Sequence, residues 1–143
     1  MTSKRTFHIL AGAILAFAAF AAVASAGGAQ KHASILIRHQ TRGCHSWSVN
    51  GGPFRASQSV VLRHGGSITI KNDDVMPHKL VQTSGRPVRY AGNRALNHVG
   101  ATMKVSFAKA GTYRFTTKPG EDYMKGIKTI GEDNVLRLTV KVS

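Results

Sequence analysis

The sequence predicts an all-β protein, and three features of the 143-residue chain support this. Apolar and polar side chains alternate in short runs, as at residues 67–71 and 136–142, which is the two-residue period of a half-buried strand. Turn residues such as the Asn-Gly-Gly-Pro at 50–53 separate these runs. After residue 26 no segment sustains the 3.6-residue apolar period of a helix. About seven or eight short strands in one domain are typical of an antiparallel sandwich or barrel.

Each strand is predicted from its own composition or alternation. Ile68 and Ile70 share one face of their strand, and Tyr113 and Phe115 share one face of theirs. Met103 alternates with apolar neighbours and is expected in the core. In chain order the strands are 33–38, 45–49, 59–63, 67–71, 79–82, 103–107, 112–116 and 136–142, with a further short strand at 88–90.

The first 26 residues predict a secretory signal peptide that is removed. Lys4 and Arg5 form a basic start, residues 9–23 are apolar or small, and Ala24-Ser25-Ala26 matches a cleavage site. The apolar run is shorter than the ~20 residues of a spanning helix. We therefore expect an exported protein, whether periplasmic, envelope-bound or extracellular. It would be a single domain over 27–143 with no transmembrane segment after cleavage.

The charge of the chain predicts an anionic partner or simply a soluble surface. The net charge is +14, and without Lys4 and Arg5 the 20 basic side chains become 18 against 6 acidic ones, a balance of +12. Such a surface attracts an anionic envelope component or an acidic protein. The basic residues are scattered and no aromatic residues are interleaved with them, which disfavours nucleic acid as the partner.

No catalytic signature is present, so we do not expect an enzyme, and a copper oxidoreductase is the open alternative. The chain lacks a nucleophile elbow, an H-E-x-x-H helix, a phosphate-cradling glycine loop and a haem attachment motif. The acidic pairs Asp73-Asp74 and Glu132-Asp133 lie beside Asn and Gly, where turn chemistry is the favoured interpretation.

Thiol, thioether and imidazole side chains in this sequence together favour copper over hard cations. Cys44 is the only cysteine, so in an exported protein it would be buried, joined to another chain or bound to a metal. His32 and His39 have no informative context and are set aside. The other candidates are Cys44, His45, Met76, His78, His98, Met103 and Met124.

The corner at residues 72–78 has the composition of a rigid turn that aims a histidine. Asn72 and Asp73 can hydrogen-bond nearby backbone groups. Pro77 fixes its own φ and pushes Met76 towards extended conformations. His78 is therefore predicted to be held in place before any metal arrives.

Two segments resemble the cupredoxins, which are small copper proteins: GSITIKNDDVMPH at 66–78 and KAGTYRFTTKPG at 109–120. With the closing strand, the resemblance covers roughly residues 60–143. It implies a Greek-key antiparallel β-sandwich that binds one copper ion. His78 falls at the family's upstream histidine ligand, and Met124 is spaced like its axial methionine. The family's cysteine and second histidine would fall near Thr117 and Gly120, where neither occurs.

Two residues upstream in the chain could supply the metal-ligand types that the downstream loop lacks. Cys44 and His45 supply one thiolate and one imidazole, the two ligand types that the downstream loop lacks. Adjacent side chains on a strand point to opposite faces, so both reach one ion only if the chain bends there. We therefore expect Cys44, His78 and Met124 as copper ligands, with His45 or His98 as the fourth.

The predicted role is electron transfer or copper handling, with a redox or copper-transfer protein as partner. The alternative is a metal-free β-sandwich binding module that uses its basic surface.

Overall fold

The computed structural model describes residues 28–39, 45–119, 125–126 and 136–143. Within these ranges the chain is built of β-strands joined by turns. The strands are β1 (Gln30–His39), β2 (His45–Val49), β3 (Ser57–Asn72), β4 (His78–Ser84), β5 (Arg89–Ala91), β6 (Ala95–Leu96), β7 (Thr102–Ser106), β8 (Gly111–Pro119) and β9 (Arg137–Val142). The predicted signal peptide lies outside the described residues.

The strands form one hydrogen-bonded sheet in the order β2-β1-β3-β9-β8-β4-β6, with β7 also paired to β3 and β5 paired to β7. The first part of β3 pairs with β9, and its second part pairs with β7. Strand β3 therefore belongs to both halves of the sheet. The Phe107 ring, just after β7, lies 4.9 Å from Tyr113 and 6.1 Å from Phe115 on β8. The sheet thus folds over itself and encloses a single apolar core.

The bend in β3 occurs at Gly65 and Gly66. Gly65 has φ +68°, in the left-handed region that glycine adopts without strain. At Gly66 an added Cβ would lie 2.8 Å from the carbonyl oxygen of Arg63 and 3.0 Å from Cβ of Leu62. The sequence indicated a turn here between two strands. The structure instead places both segments in one strand, whose pairing with β1 shifts register between Leu62 and Ser67, where the two glycines lie.

The predicted all-β class is confirmed, but the expectation that all strand pairs are antiparallel is wrong, because the pairing is mixed. Strand β3 runs parallel to β1 and to β9, whereas the other pairs are antiparallel. Met103 is 2% exposed and lies in the core, as expected. The two-residue strand β6 was not predicted, because so short a segment carries no periodicity. No helix in the described part of the chain has the length and apolar character needed to cross a membrane.

Candidate metal centre

The corner between β3 and β4 is held by the side chain of Asn72, which is fully buried. Its Nδ2 donates to the carbonyl oxygens of Met76 (3.0 Å) and Leu96 (2.9 Å), and its Oδ1 accepts from the backbone N–H of Asp74 (3.0 Å). The predicted role of Asn72 is therefore confirmed. Asp73, by contrast, accepts from the guanidinium of Arg38 at 2.7 Å, so its side chain ties the corner to β1.

Asp74 carries the polar interactions that join this corner to the histidines. Its carboxylate is buried, with the residue 1% exposed. One oxygen, Oδ1, accepts from the backbone N–H of Met76 at 2.9 Å, which is turn chemistry. The other, Oδ2, lies 2.6 Å from Nδ1 of His45 and 3.4 Å from Nε2 of His78. One buried carboxylate thus contacts two imidazoles from different strands.

Asp74 is ionised at neutral pH. Burial by itself would raise the pKa of Asp74, but hydrogen bonds with His45, His78 and the backbone of Met76 outweigh burial. Electrostatic attraction to His45, whenever that ring is charged, acts in the same direction, and the pKa of Asp74 is held well below its ordinary value of 3.8. An ionised carboxylate only accepts hydrogen bonds. The ring nitrogens that face it, Nδ1 of His45 and Nε2 of His78, therefore carry the hydrogens.

The opposite ring nitrogens are the atoms best suited to bind a metal. Nε2 of His45 and Nδ1 of His78 are buried and have no hydrogen-bond partner among the described residues. In neutral imidazoles whose other nitrogen is protonated, each of these atoms holds a lone pair. The two ring centroids are 4.8 Å apart. A histidine whose second nitrogen donates to a carboxylate is the common arrangement at protein metal sites.

His39 lies at the outer side of the same cluster. It is directly opposite His45 in the β1–β2 pair, and the two ring centroids are 5.7 Å apart. His39, His45 and Asp74 each offer one ligand atom, and these atoms lie within 4.8 Å of one another. His39 is exposed, whereas His45 and Asp74 are buried. The cluster therefore extends from the protein interior to the surface.

The structure brings two of the five predicted ligands together. His45 and His78 meet at Asp74, as described above. Cys44 and Met124 lie outside the described residues. His98 is exposed, and its Nδ1 lies 3.0 Å from the carbonyl oxygen of Val99 in its own loop. The contacts found among the described residues of the cluster do not include it.

Sequence reasoning missed Asp74 and His39. Asp74 was assigned to turn chemistry, which is correct for Oδ1 but omits Oδ2. His39 was set aside because nothing in its local sequence marks it. The available signal was spacing: a tight hairpin between 33–38 and 45–49 would place His39 beside His45.

The imidazole donors among the described residues suit a copper or a zinc ion. Imidazole nitrogens bind copper and zinc, and an aspartate that orients both rings raises their basicity. The unpartnered buried nitrogens of His45 and His78 would be satisfied by a bound cation, whereas leaving them unpaired carries a desolvation cost. These two residues would hold the ion, and Asp74 would orient them.

Comparisons with known proteins bear on the fold. No family model and no curated protein matches the chain. Among solved structures, a purple cupredoxin from Nitrosopumilus maritimus is 18% identical, with 78% of this chain and 99% of that chain covered and a TM-score of 0.45. A Cu(I) form of a mutant amicyanin is 18% identical, with 77% of this chain and 82% of that chain covered and a TM-score of 0.39.

Two further solved structures show the same kind of likeness. Rusticyanin from Thiobacillus ferrooxidans is 12% identical, covering 80% of this chain and 79% of that chain, with a TM-score of 0.37. A multicopper oxidase is 13% identical with a TM-score of 0.40, and this chain spans 45% of its length. The all-β fold is shown by the strands of the chain itself. The solved structures to which it is similar include a purple cupredoxin, amicyanin and rusticyanin.

Proposed function

We propose that this protein is an exported copper-binding protein that serves electron transfer or copper handling. The observation that carries the proposal is the pair of buried, unpartnered nitrogens on His45 and His78, with both rings oriented by Asp74. Cys44 and Met124 are proposed to complete the site, since the first adjoins His45 in the chain and the second is spaced like the cupredoxin axial methionine. His98 stays a reserve ligand.

The chemistry of the site follows from its donors. Imidazoles suit both oxidation states of copper, whereas a thiolate and a thioether favour Cu(I). Bound copper would supply reversible one-electron chemistry. The residues of this chain hold, orient and shield the ion: Asn72 fixes the corner, Asp74 sets the ring tautomers, and burial of His45 and His78 excludes water. We propose a carrier rather than a catalyst.

The alternative, a metal-free binding module, is disfavoured by the same two nitrogens. Without a cation, these two buried nitrogens would stay unsatisfied among the described residues. Each unsatisfied buried polar group costs about 1–3 kcal/mol. A module that bound only anions through its surface would gain nothing from this arrangement.

Copper titration of the purified protein tests the proposal. We expect one copper per chain, with His45→Ala and His78→Ala each weakening binding by at least about tenfold, or about 1.4 kcal/mol. Cys44→Ser is expected to abolish the visible thiolate-to-copper band of the Cu(II) form. His64→Ala is the matched control, because His64 is exposed on β3. Absence of copper binding, or unchanged binding in His78→Ala and Cys44→Ser, contradicts the proposal.

A further inference from the structure

His39, His45 and Asp74 offer metal-ligand atoms at the point where the histidine cluster reaches the surface. Each residue supplies one such atom, and the three atoms lie within 4.8 Å of one another. His39 and His45 are directly opposite each other in the β1–β2 pair. Asp74 comes from the corner before β4, so the fold brings together three residues that are distant in the sequence.

The contact between His45 and Asp74 decides which ring nitrogen an ion at this point would bind. Nδ1 of His45 and Oδ2 of Asp74 are 2.6 Å apart and share one hydrogen. Nε2 of His45 is on the opposite edge of the ring, so an ion that contacts both residues binds Nδ1. The ion takes the place of the shared hydrogen, and the neutral imidazole carries that hydrogen on Nε2 instead.

The distances within this set require only a small adjustment to hold a zinc ion. Zinc bonds to nitrogen and oxygen ligands are about 2.0–2.2 Å long, so tetrahedral ligand atoms are about 3.3–3.6 Å apart. A set that spans up to 4.8 Å therefore closes by about 1.5 Å. His45 and Asp74 are buried, whereas His39 is exposed at the end of β1. The His39 side chain can make this movement without displacing the core.

The types of ligand atom favour zinc over the hard cations. Zinc binds imidazole nitrogen and carboxylate oxygen, whereas Mg²⁺ and Ca²⁺ prefer oxygen ligands alone. The ionised carboxylate of Asp74 also offsets part of the charge of a divalent ion. The interaction that His39 already makes is compatible with metal binding, because imidazole binds a metal through one ring nitrogen and leaves the other for a partner.

Three protein ligands leave one coordination position for water, which is typical of zinc sites that are not purely structural. His39 is the exposed member of the set, so this position faces the solvent. We therefore expect an ion that exchanges with the solution, in contrast to an ion held between the buried nitrogens of His45 and His78.

We propose that His39, His45 and Asp74 bind a zinc ion at a solvent-side position distinct from the proposed copper pair. Zinc binds Nδ1 of His45, whereas copper is proposed to bind Nε2. Zinc on Nδ1 places the hydrogen on Nε2, so the two ions exclude each other at His45. The zinc position does not depend on copper binding, and its failure leaves the copper proposal standing.

The test is a titration of copper-free protein with Zn²⁺, which is diamagnetic, followed by ¹⁵N NMR of the histidine side chains at neutral pH. We expect one zinc ion per chain, shifts at His39 and at Nδ1 of His45, and a hydrogen on Nε2 of His45. His39→Ala is expected to weaken zinc binding by at least about tenfold. The matched control is His32→Ala, which removes another exposed histidine of β1 and is expected to change the affinity less than about twofold.

Four outcomes would overturn the proposal. Zinc-induced shifts at Nε2 of His45 and at Nδ1 of His78 would place the ion at the buried pair. Equal zinc affinity in His39→Ala and wild type would remove His39 from the site. Zinc binding that is lost in Cys44→Ser but kept in His39→Ala would assign the ion to the cysteine. The same shifts with Mg²⁺ would mean that the carboxylate alone attracts cations.

Discussion

At the scale of single residues, Asp74 connects the candidate site, because it contacts both His45 and His78 as well as the backbone of the turn. Its two oxygens make different contacts: Oδ1 accepts a hydrogen bond from the backbone N–H of Met76, and Oδ2 contacts His45 and His78. An aspartate that only closed the turn could be replaced by asparagine with little loss of stability. Asp74 makes both contacts, so we expect its charge to affect the proposed metal ligands as well as folding.

Asp74→Asn is expected to weaken copper binding by about 10–100-fold, as loss of an orienting carboxylate does at other metal sites. The amide keeps the shape and the bond from Met76, but it no longer fixes which nitrogen of His45 is protonated. Competition with a copper chelator measures the affinity, and ¹⁵N chemical shifts of the histidines report the tautomers. Asp73→Asn, which alters only the contact with Arg38, is the control. Unchanged tautomers and affinity in Asp74→Asn would contradict this role.

The depressed pKa of Asp74 also predicts how stability depends on pH in the copper-free protein. A carboxyl whose folded pKa lies below its unfolded value near 3.8 adds stability that is fully present above that unfolded value. This contribution is lost as pH falls below about 4 towards the folded pKa. Urea unfolding should therefore show wild type more stable than Asp74→Asn by about 1–3 kcal/mol at pH 6. The difference should shrink as pH falls below about 4, and a difference that grows there would contradict the assignment.

The residues of the site were only partly predictable from the sequence. His78 was predicted because Pro77 and the Asn-Asp-Asp turn mark it locally, and His45 because it adjoins the only cysteine. The pairing of Asp74 with both rings depends on β2 lying beside the corner, a contact across 29 positions in sequence. No local pattern encodes such a contact, so the role of Asp74 could be recognised only from the fold, whereas the spacing of the first two strands could have indicated His39.

At the scale of elements, the bent strand β3 does the most to shape the molecule. Strands with clear alternation, such as those around Ile68 and Phe115, were predicted close to their observed positions. The bend was interpreted as a turn, since Gly-Gly is a turn signal and sequence alone does not show that hydrogen bonding continues on both sides. Strand β3 carries the chain from one half of the sheet to the other and ends at Asn72, where the corner begins.

Gly66→Ala is expected to destabilise the protein by about 1–3 kcal/mol. The new methyl group would lie 2.8 Å from the carbonyl oxygen of Arg63, and backbone would have to move to relieve the contact. Urea unfolding measures the effect as a lower midpoint with an unchanged slope. Gly28→Ala, where no atom lies within 4 Å of the added methyl, is the control. Equal stability of the two variants would show that the bend tolerates a side chain.

At the scale of the whole molecule, the chain combines an all-β fold, a buried pair of imidazoles and a strongly basic composition. The net charge of +14 indicated an anionic partner without locating it. The structure concentrates three of the basic side chains beside β4, next to His78. The basic side chains and the proposed metal ligands, which the sequence assigned to alternative functions, are therefore close together in one fold, and one function does not exclude the other.

Copper is proposed to bind through Nε2 of His45 and Nδ1 of His78. This is tested by ¹⁵N NMR of the histidine side chains on addition of one equivalent of Cu(I), which is diamagnetic. We expect the signals of these two nitrogens to shift, while the ring nitrogens that face Asp74 stay protonated and the signals of His64 and His32 are unchanged. Shifts confined to other histidines, or no shift at one equivalent, would contradict it.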